Sequence, residues 1–326
     1  MLTKVSRKHP TNLSFDTYYR EYYLPDKNKR IRATTQKRYY YIYRNRIRPY
    51  FGDLIMNEIS HLHVREWQNI QISLNFKPKY LRTLHQFLKG IFDYCVQFHD
   101  LAENPCDRVD AMGRNRTRRR ASIWRLDEYE RVYRCMSTTQ HRAALAVLFW
   151  SGIRKGELYG LQWQDYCPLT KSIRVERSYQ RLNGKAVIMP LKTEKSYRTI
   201  LLPSQGYQPL EKYRDKCTHI HKTDFIFPWS KRKLEDEIHL ACQRSGVKRI
   251  RIHDLRHSHA SLLIYLNVDI AAASTRLGHS SISMTLNTYA HAYDNADRQI
   301  ANTLERVGNP IQPMHPIQGI PVFMST

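Results

Sequence analysis

The sequence predicts a mostly α-helical protein with a small antiparallel β-sheet, divided into a helical first half and an α+β second half. Three observations support this prediction. Apolar residues recur at helical spacing before residue 120, where no alternating strand pattern occurs. Segments with strand and turn character occupy residues 171–203. Between the halves, residues 109–121 are rich in arginine and poor in apolar side chains, which is typical of a linker.

The charge of the chain predicts a polyanionic partner. Among 326 residues, 53 Lys+Arg stand against 29 Asp+Glu, which leaves a net charge of +24. Such an excess indicates nucleic acid first and an acidic membrane surface second. The first 120 residues hold 24 Lys+Arg and 11 Asp+Glu, so both halves are basic and both are expected to touch the polyanion.

The sequence favours a cytosolic protein over a membrane or secreted one. The longest apolar run, residues 143–150, is far shorter than the roughly 20 residues that a membrane-spanning helix needs. The first ten residues lack the apolar segment of a secretory signal. Six cysteines are scattered without a CxxC pair, which predicts reduced thiols rather than a disulfide framework or a zinc ribbon.

Several helices are predicted in the first half, residues 12–108, from capping residues and apolar spacing. Ser14 is placed to cap the first helix, Thr34 or Thr35 the second, and Ser60 the third. The strongest helix spans residues 79–99, because its apolar residues recur every three or four positions. These residues are Leu81, Leu84, Leu88, Ile91, Phe92, Cys95 and Val96. We therefore predict a compact bundle of about four helices.

The segments outside the two halves have distinct compositions. Residues 1–11 form a polar, basic extension, and residues 309–326 form a proline-rich tail that is expected to be extended. The linker, 109–121, carries five arginines within seven positions. They are Arg114, Arg116, Arg118, Arg119 and Arg120. Such a run is either a solvated connection or a segment that also crosses a phosphate backbone.

The second half, residues 122–308, is predicted to hold a small three-stranded antiparallel sheet among helices. Residues 172–179 and 185–191 flank an Asn-Gly pair, which is the signature of a hairpin turn. A second turn, 193–196, leads into a third strand, 197–202. The helices that follow are predicted at 207–217, 231–245, 254–267, 269–277, 281–291 and 294–307.

Four stretches carry residues that are suited to chemistry. They read SGIRKGEL with Arg154 and Glu157, LKTEKSYRTI with Lys192, HDLRHSHAS with His253 and Arg256, and RLGHSSISMTLNTYAH with His279 and Tyr289. Arg154 comes just after an apolar helix, and His253 and Arg256 lie one helical turn apart, hence on one face. Each also has a structural explanation: a surface ion pair, a charged turn, buried histidines and a core tyrosine. His253, His257 and His259 are either buried histidines or a metal cluster, but a zinc site is not favoured, because Asp254 adjoins His253 and should point away from it on a helix.

Taken together, these side chains suit phosphoryl transfer without a metal ion. Two arginines can bind phosphate oxygens bidentately and neutralise a pentacoordinate phosphorus. A tyrosine hydroxyl, with a pKa near ~10, becomes a nucleophile only when it lies among hydrogen bonds and positive charges. A lysine on a turn can protonate a leaving oxygen, and histidines can assist proton transfer.

The order and wording of the four stretches resemble those of the tyrosine recombinases, or phage integrases, over about residues 12–307. The wording is similar to that of mobile-element integrases. The resemblance implies that Tyr289 is the nucleophile, that Arg154 and Arg256 hold the scissile phosphate, and that Lys192 is the general acid. His253 and His279 would assist, and Glu157 would support Arg154. No member of the set is missing, which argues against an inactive copy.

The resemblance also implies an architecture and partners. The first half would be a core-binding domain of the SAM-like type and the second half the catalytic domain, closing on double-stranded DNA. Lys37 and Arg38 on the second helix, with the five linker arginines, are the candidate DNA-binding residues. A homotetramer on two duplexes would react through a 3′-phosphotyrosine and a Holliday junction, without cofactor, metal or ATP. A directionality factor is a possible partner, and the bacterial nucleoid the place of action.

One departure and two alternatives remain at this point. Many mobile-element integrases carry a further N-terminal domain that binds arm-type sites, whereas only about eleven residues precede the first predicted helix here. Arm-site binding is therefore in doubt. The alternatives are a non-catalytic DNA-binding regulator of a mobile element and a nicking enzyme similar to type IB topoisomerases.

Overall fold

The computed structural model describes residues 9–113, 122–182, 185–191, 193–228 and 231–278. The chain divides into two compact units, Met1–Arg120 and Ala121–Thr326, which are treated separately below. This division falls inside the arginine-rich segment 109–121. Within the described ranges, no helix is long and apolar enough to cross a bilayer.

The first unit is built from helices, as the sequence predicts. Two π-helical turns, Tyr19–Tyr23 and Tyr43–Ile47, join successive helices, and each ends two residues before a proline. The helices are α1 (Phe15–Tyr18), α2 (Leu24–Arg30), α3 (Ala33–Ile42), α4 (Arg48–Phe51), α5 (His61–Ser73) and α6 (Pro78–Phe98).

Two of the three predicted caps are confirmed. Ser14 accepts a hydrogen bond from the Thr17 amide at the start of α1, and Ser60 is the N-cap of α5. The prediction of Thr34 or Thr35 as a cap is wrong, since α3 begins at Ala33 after Arg32. Arg32, with extended backbone angles, is the N-cap residue, so both threonines lie within the first turn of the helix.

The apolar stripe of α6 forms much of the core of this unit. Six of the seven predicted stripe residues are buried, and five of them, Leu84, Leu88, Ile91, Phe92 and Cys95, are fully so. Val96 is the exception, with 37% of its surface exposed, because it lies at the edge of the stripe near the end of the helix. Trp67 of α5 is also fully buried, and its indole nitrogen donates to the Arg46 carbonyl oxygen at 2.7 Å.

The second unit combines helices with two small sheets. Its helices are α7 (Leu126–Arg134), α8 (Thr139–Ser151), α9 (Lys155–Gly160), α10 (Ser204–Arg214), α11 (Lys231–Ser245), α12 (Ile252–Tyr265) and α13 (Ile270–Leu277). Its strands are β1 (Tyr166–Cys167), β2 (Ser172–Val175), β3 (Arg177–Leu182), β4 (Lys185–Pro190) and β5 (Arg198–Leu201). The helices from α10 to α13 begin within three residues of their predicted starts.

Helix α8 is the centre of the second unit. It is apolar on nearly every side, and its residues from Ala143 to Phe149 are all buried. A helix that is apolar all round must be surrounded by other elements. It packs against α10 and α12, which places its C-terminal end beside the N-terminal half of α12.

The single three-stranded sheet predicted for residues 172–202 is wrong in its pairing. Strands β3 and β4 form the predicted hairpin, but as a separate two-stranded sheet. Strand β5 instead pairs with β2, in a sheet with the order β1-β2-β5. The reason is burial: Ile173 lies opposite Ile200 and both are buried, whereas β4 has no fully buried residue to bring into the core.

Several predictions fall outside the described residues. These include the hairpin turn at 183–184, the helices at 281–291 and 294–307, the tail at 309–326, and most of the extension and the linker.

The core of the first unit can be tested at α6. Leu84→Ala should lower the free energy of unfolding by about 2–5 kcal/mol, because it removes buried methyl groups and leaves a cavity. Leu62, on α5 and 67% exposed, supplies the matched control: Leu62→Ala should change it by less than about 0.5 kcal/mol. Urea-induced unfolding of the full chain measures both. Equal effects of the two substitutions would contradict the assigned core.

Candidate active site

The site begins where α8 ends. Gly152 follows the last helical residue with φ +67°, a left-handed conformation that ends the helix and turns the chain toward Arg154. A Cβ at this position would lie 2.5 Å from Cδ2 of His259 and 2.8 Å from Cδ2 of Leu277. Glycine is therefore required both for the backbone angle and for the close approach of α12 and α13.

Arg154 is the N-cap residue of α9, and Glu157 fixes its side chain. The Arg154 amide donates to Oε2 of Glu157 at 2.9 Å, and its Nη1 donates to Oε1 at 2.7 Å. Its Nη2 donates to the carbonyl oxygen of Gly278 at 3.0 Å. Glu157 is 2% exposed while 36% of the Arg154 side chain stays exposed, so a buried carboxylate orients a partly exposed guanidinium.

A second arginine, Arg198, shares the same carboxylate. Its Nη2 donates to Oε2 of Glu157 at 2.9 Å, and its Nε donates to the Arg276 carbonyl oxygen at 2.8 Å. Although burial by itself raises the pKa of Glu157, the two arginines outweigh it and hold the pKa below its usual range. Glu157 is therefore ionised, and it joins the start of α9 to the start of β5, while the two arginines bond to the end of α13.

Helix α12 supplies His253 and Arg256. Arg256 is 3% exposed, and its Nη1 donates to the Gly152 carbonyl oxygen at 2.9 Å, two residues before Arg154. His253 lies one turn earlier, with its side chain exposed. Desolvation of the ring, and then the charges of Arg256 and Arg154, lower the pKa of His253. The structure thus brings His253, Arg154 and Arg256 within electrostatic reach of one another.

The start of α12 is fixed by an ion pair that lies beside these groups. Asp254 accepts hydrogen bonds from the amide, Nε and Nη2 of Arg251, at 2.8–3.0 Å. Asp254 is therefore committed to capping the helix and is turned away from a metal-ligating role with His253. Among the described residues, no group of three His, Cys, Asp or Glu side chains is arranged to hold a metal ion.

Arg276 and His259 close the inner side of the site. Arg276 Nη2 donates to the carbonyl oxygens of Trp150 and Leu201, both at 3.0 Å, and its Nε donates to Nε2 of His259 at 3.2 Å. Burial, and then the charges of Arg276 and Arg256, lower the pKa of His259 to about 3. The ring is therefore neutral and acts as an acceptor between two cations.

Three of the six predicted catalytic residues lie outside the described residues: Lys192, His279 and Tyr289. Two of them directly adjoin described residues: Thr193 follows Lys192, and Gly278, the last described residue, precedes His279. The Gly278 carbonyl oxygen accepts a hydrogen bond from Arg154, and Thr193 begins the turn that leads into Arg198. The other three predicted residues and Glu157 are brought together.

The DNA-binding candidates divide in the same way. The five arginines Arg114, Arg116, Arg118, Arg119 and Arg120 lie outside the described residues. Lys37 and Arg38 are exposed on α3 of the first unit, followed by Tyr40 and Tyr41, which are about half exposed. The Lys37 ammonium lies 6.0 Å from the ring centre of Tyr41, and the Arg38 guanidinium 5.4 Å from that of Tyr39.

The described part of the site is suited to binding an anion with phosphate geometry. Arg154 offers exposed guanidinium surface, and Arg256 bonds to the carbonyl oxygen of Gly152, two residues before Arg154. His253 is an exposed imidazole whose pKa is lowered by desolvation and by these arginines. Guanidinium groups remain charged at any working pH and bind phosphate oxygens in pairs.

The match to known families decides the identity of the chain. Residues 124–296 match the model of the phage integrase family, and residues 14–71 match that of the phage integrase N-terminal SAM-like domain. This chain belongs to the phage integrase family and is a tyrosine recombinase. The prediction of the fold class, a helical SAM-like unit followed by an α+β recombinase unit, is confirmed.

Known phage integrases resemble this member along most of its length. The ICEBs1 integrase of Bacillus subtilis is 29% identical over 281 residues, covering 81% of this chain and 76% of that one. A protein of Caldanaerobacter subterraneus named "tyrosine recombinase XerC-like" is 24% identical, covering 93% and 79%.

Solved structures of integrases share the fold. The Tn1549 transposon integrase, in complex with transposon right end DNA, has a TM-score of 0.73 at 19% identity, covering 86% of this chain and 96% of that one. A lambda integrase tetramer bound to a Holliday junction has a TM-score of 0.59 at 21% identity, covering 82% and 74%.

Two charged residues of this cluster, Arg198 and Arg276, are not predicted from the sequence. Both occur in the stretches that the sequence singles out, SYRTI and RLGH, but neither differs in its sequence pattern from a surface arginine. A possible signal for Arg198 is its alternation with Ile200 on a short strand. His259 was predicted only as one of several histidines that are either buried or metal-binding.

The neutral state of His259 predicts a dependence of stability on pH. The unfolded chain takes up this proton near pH ~6.5, whereas the folded state resists it down to about pH 3. The stabilisation is therefore complete above pH ~6.5 and is lost as the pH falls. Between pH 7 and pH 5, wild type should lose about 1–2 kcal/mol more unfolding free energy than His259→Gln.

Urea unfolding of both proteins at the two pH values measures this difference. The other histidines titrate equally in both proteins and cancel in the comparison. Parallel losses in wild type and variant would show that His259 titrates as it does in the unfolded chain.

Proposed function

We propose that the protein is a site-specific DNA recombinase of a mobile element, in which Tyr289 attacks the scissile phosphate. The observation that carries the proposal is the cluster of Arg154, Arg256 and His253, held by Glu157 and the Gly152 carbonyl. This cluster is a phosphate-binding arrangement inside a chain of net charge +24.

In the proposed reaction, the Tyr289 hydroxyl oxygen forms a bond to phosphorus and the bond from phosphorus to the 5′ oxygen breaks. The tyrosine proton passes to a neighbouring base, for which His253 is suited because its pKa is lowered and its ring is exposed. Lys192 gives a proton to the leaving 5′ oxygen. The products are a 3′-phosphotyrosine and a free 5′ hydroxyl.

Charge stabilisation by the two arginines supports a reaction without a metal ion or ATP. Arg154 and Arg256 remain charged and can neutralise the phosphorane as it forms. The loss of one preorganised donor of this kind costs roughly 10²–10³ in rate. The phosphotyrosine bond conserves the energy of the phosphodiester, so rejoining needs no nucleotide.

The proposed assembly is a tetramer on two duplexes that passes through a Holliday junction, in the bacterial cytoplasm on nucleoid DNA. The likeness in fold to the lambda integrase tetramer supports it. His279 is proposed to assist at the phosphate, and a directionality factor to select integration or excision. Lys37, Arg38 and the arginines of the linker, 109–121, are proposed to contact the DNA backbone.

Covalent capture tests the nucleophile. Nicked duplexes tiled across the DNA that flanks the protein's own gene serve as suicide substrates, because the strand that leaves cannot return. Wild type should form an adduct that survives SDS, and Tyr289→Phe should bind the same duplex and form none, because it lacks the hydroxyl oxygen. An undiminished adduct from Tyr289→Phe would exclude Tyr289 as the nucleophile.

The same assay separates the alternatives. A wild type that binds tightly but forms no adduct with any duplex would indicate a non-catalytic regulator. Relaxation of supercoiled DNA that contains none of the cleaved sequences would indicate a nicking enzyme similar to type IB topoisomerases. Recombination of two cleaved sites without such relaxation supports the proposal.

The proposed backbone contacts predict a salt dependence. Replacing one linker arginine, such as Arg118→Ala, should weaken binding to all sequences alike and reduce the slope of log K against log salt by about 0.9, because one fewer counterion is released. Arg134→Ala is the control, since its guanidinium lies beside Glu130 at 3.6 Å. Titrations from low to high salt measure both; unchanged slopes for all five linker arginines would exclude this contact.

A further inference from the structure

The guanidinium of Arg154 is held in place by two acceptors. One is Oε1 of Glu157, at 2.7 Å, and the other is the carbonyl oxygen of Gly278, at 3.0 Å. These two acceptors belong to different elements, the first turn of α9 and the turn that ends α13. The direction in which Arg154 points therefore depends on how these elements lie relative to each other.

Arg198 bonds to the same two elements. It donates from Nη2 to Oε2 of Glu157 at 2.9 Å and from Nε to the Arg276 carbonyl oxygen at 2.8 Å, two residues before Gly278. A third bond, from Nη1 to the Ser196 carbonyl oxygen at 2.9 Å, ties it to its own turn. Arg154, Glu157, Arg198 and the turn 276–278 thus form a closed ring of hydrogen bonds.

Burial makes this ring rigid. The Arg198 side chain is 6% exposed and that of Glu157 2% exposed. A buried carboxylate that loses a charged partner must find another or remain unpaired, which is strongly destabilising. Water cannot readily take the place of a guanidinium that serves three acceptors in fixed directions.

We propose that Arg198 is a positioning residue for Arg154. By holding Glu157 and the turn 276–278 together, it sets the direction of the Arg154 guanidinium toward the scissile phosphate. Arg198 itself does not contact the phosphate. The inference rests on the proposed recombinase function, in which Arg154 binds that phosphate.

A second arginine–carboxylate pair in the same unit provides a matched control. Nη1 of Arg177 donates to Oδ2 of Asp165 at 2.5 Å, and the Asp165 side chain is 1% exposed. Asp165 also accepts from the amide of Gln162, three residues earlier, as Glu157 does from that of Arg154. The two carboxylates share burial and capping geometry, but only Arg198 shares an acceptor, Glu157, with Arg154.

The experiment measures single-turnover cleavage by Arg198→Met, Arg198→Lys and Arg177→Met, with saturating full-length protein. Each is given a nicked duplex with either a phosphate or a methylphosphonate at the scissile position. A methylphosphonate carries no negative charge, so it demands much less of Arg154. The quantity compared is the ratio of the two rates, which does not depend on the fraction of protein that is folded.

Arg198→Met should bind DNA within about threefold of wild type. It should cleave the phosphate about 10²-fold more slowly, because moving a catalytic group such as the Arg154 guanidinium by about 1 Å can cost that much in rate. On the methylphosphonate it should lose only a few-fold, so the ratio falls by more than tenfold. Arg198→Lys should recover part of the ratio, since it keeps one charge but cannot serve three acceptors. Arg177→Met should keep the wild-type ratio even where its melting temperature falls.

Two results would overturn the proposal: a wild-type cleavage rate in Arg198→Met, or an equal loss on both substrates, which indicates general damage to the fold. A wild type that forms no adduct with any duplex would overturn the proposed function, and the positioning role with it. If wild type and Arg198→Met cleave the phosphate substrate at equal rates, only the positioning role is overturned.

Discussion

The buried carboxylate of Glu157 is the interaction on which the site depends. It accepts two hydrogen bonds from Arg154 and one from Arg198, and its side chain is 2% exposed. Burial of charged groups costs several kcal/mol per ion and is offset only when their hydrogen bonds are satisfied. Each neighbouring element is therefore constrained to supply a donor or to support one, and this requirement fixes where Arg154, the arginine proposed to bind the phosphate, lies.

Three arginines of the site are also held by backbone carbonyl oxygens at or near the ends of elements. Arg256 bonds to Gly152 after α8, Arg154 to Gly278 after α13, and Arg276 to Trp150 and Leu201 near the ends of α8 and β5. The last carbonyls of a helix have no partner within it and carry the negative end of its dipole. These interactions oppose the mutual repulsion of four clustered arginines and leave Arg154 partly exposed for an anion.

The sequence predicts the local features of this site better than its long-range ones. The position of Arg154 after an apolar helix, the shared face of His253 and Arg256, and the stripe of α6 follow from spacing along one element. The pairing of β5 with β2, and the roles of Arg198 and Arg276, depend on contacts between residues distant in sequence. Apart from the alternation of Arg198 with Ile200, nothing in SYRTI or RLGH distinguishes a buried arginine from a surface one, because only the folded chain supplies Glu157 and the carbonyls that bury it.

A structure of the full chain bound to a duplex that contains its cleavage site tests the account most directly. In that structure, one DNA phosphate should lie within hydrogen-bond distance of both Arg154 and Arg256, with the bonds of Arg198 to Glu157 and to the Arg276 carbonyl retained. A phosphate held by other side chains, or a Glu157 carboxylate released from Arg198 while Arg154 binds the phosphate, would contradict it.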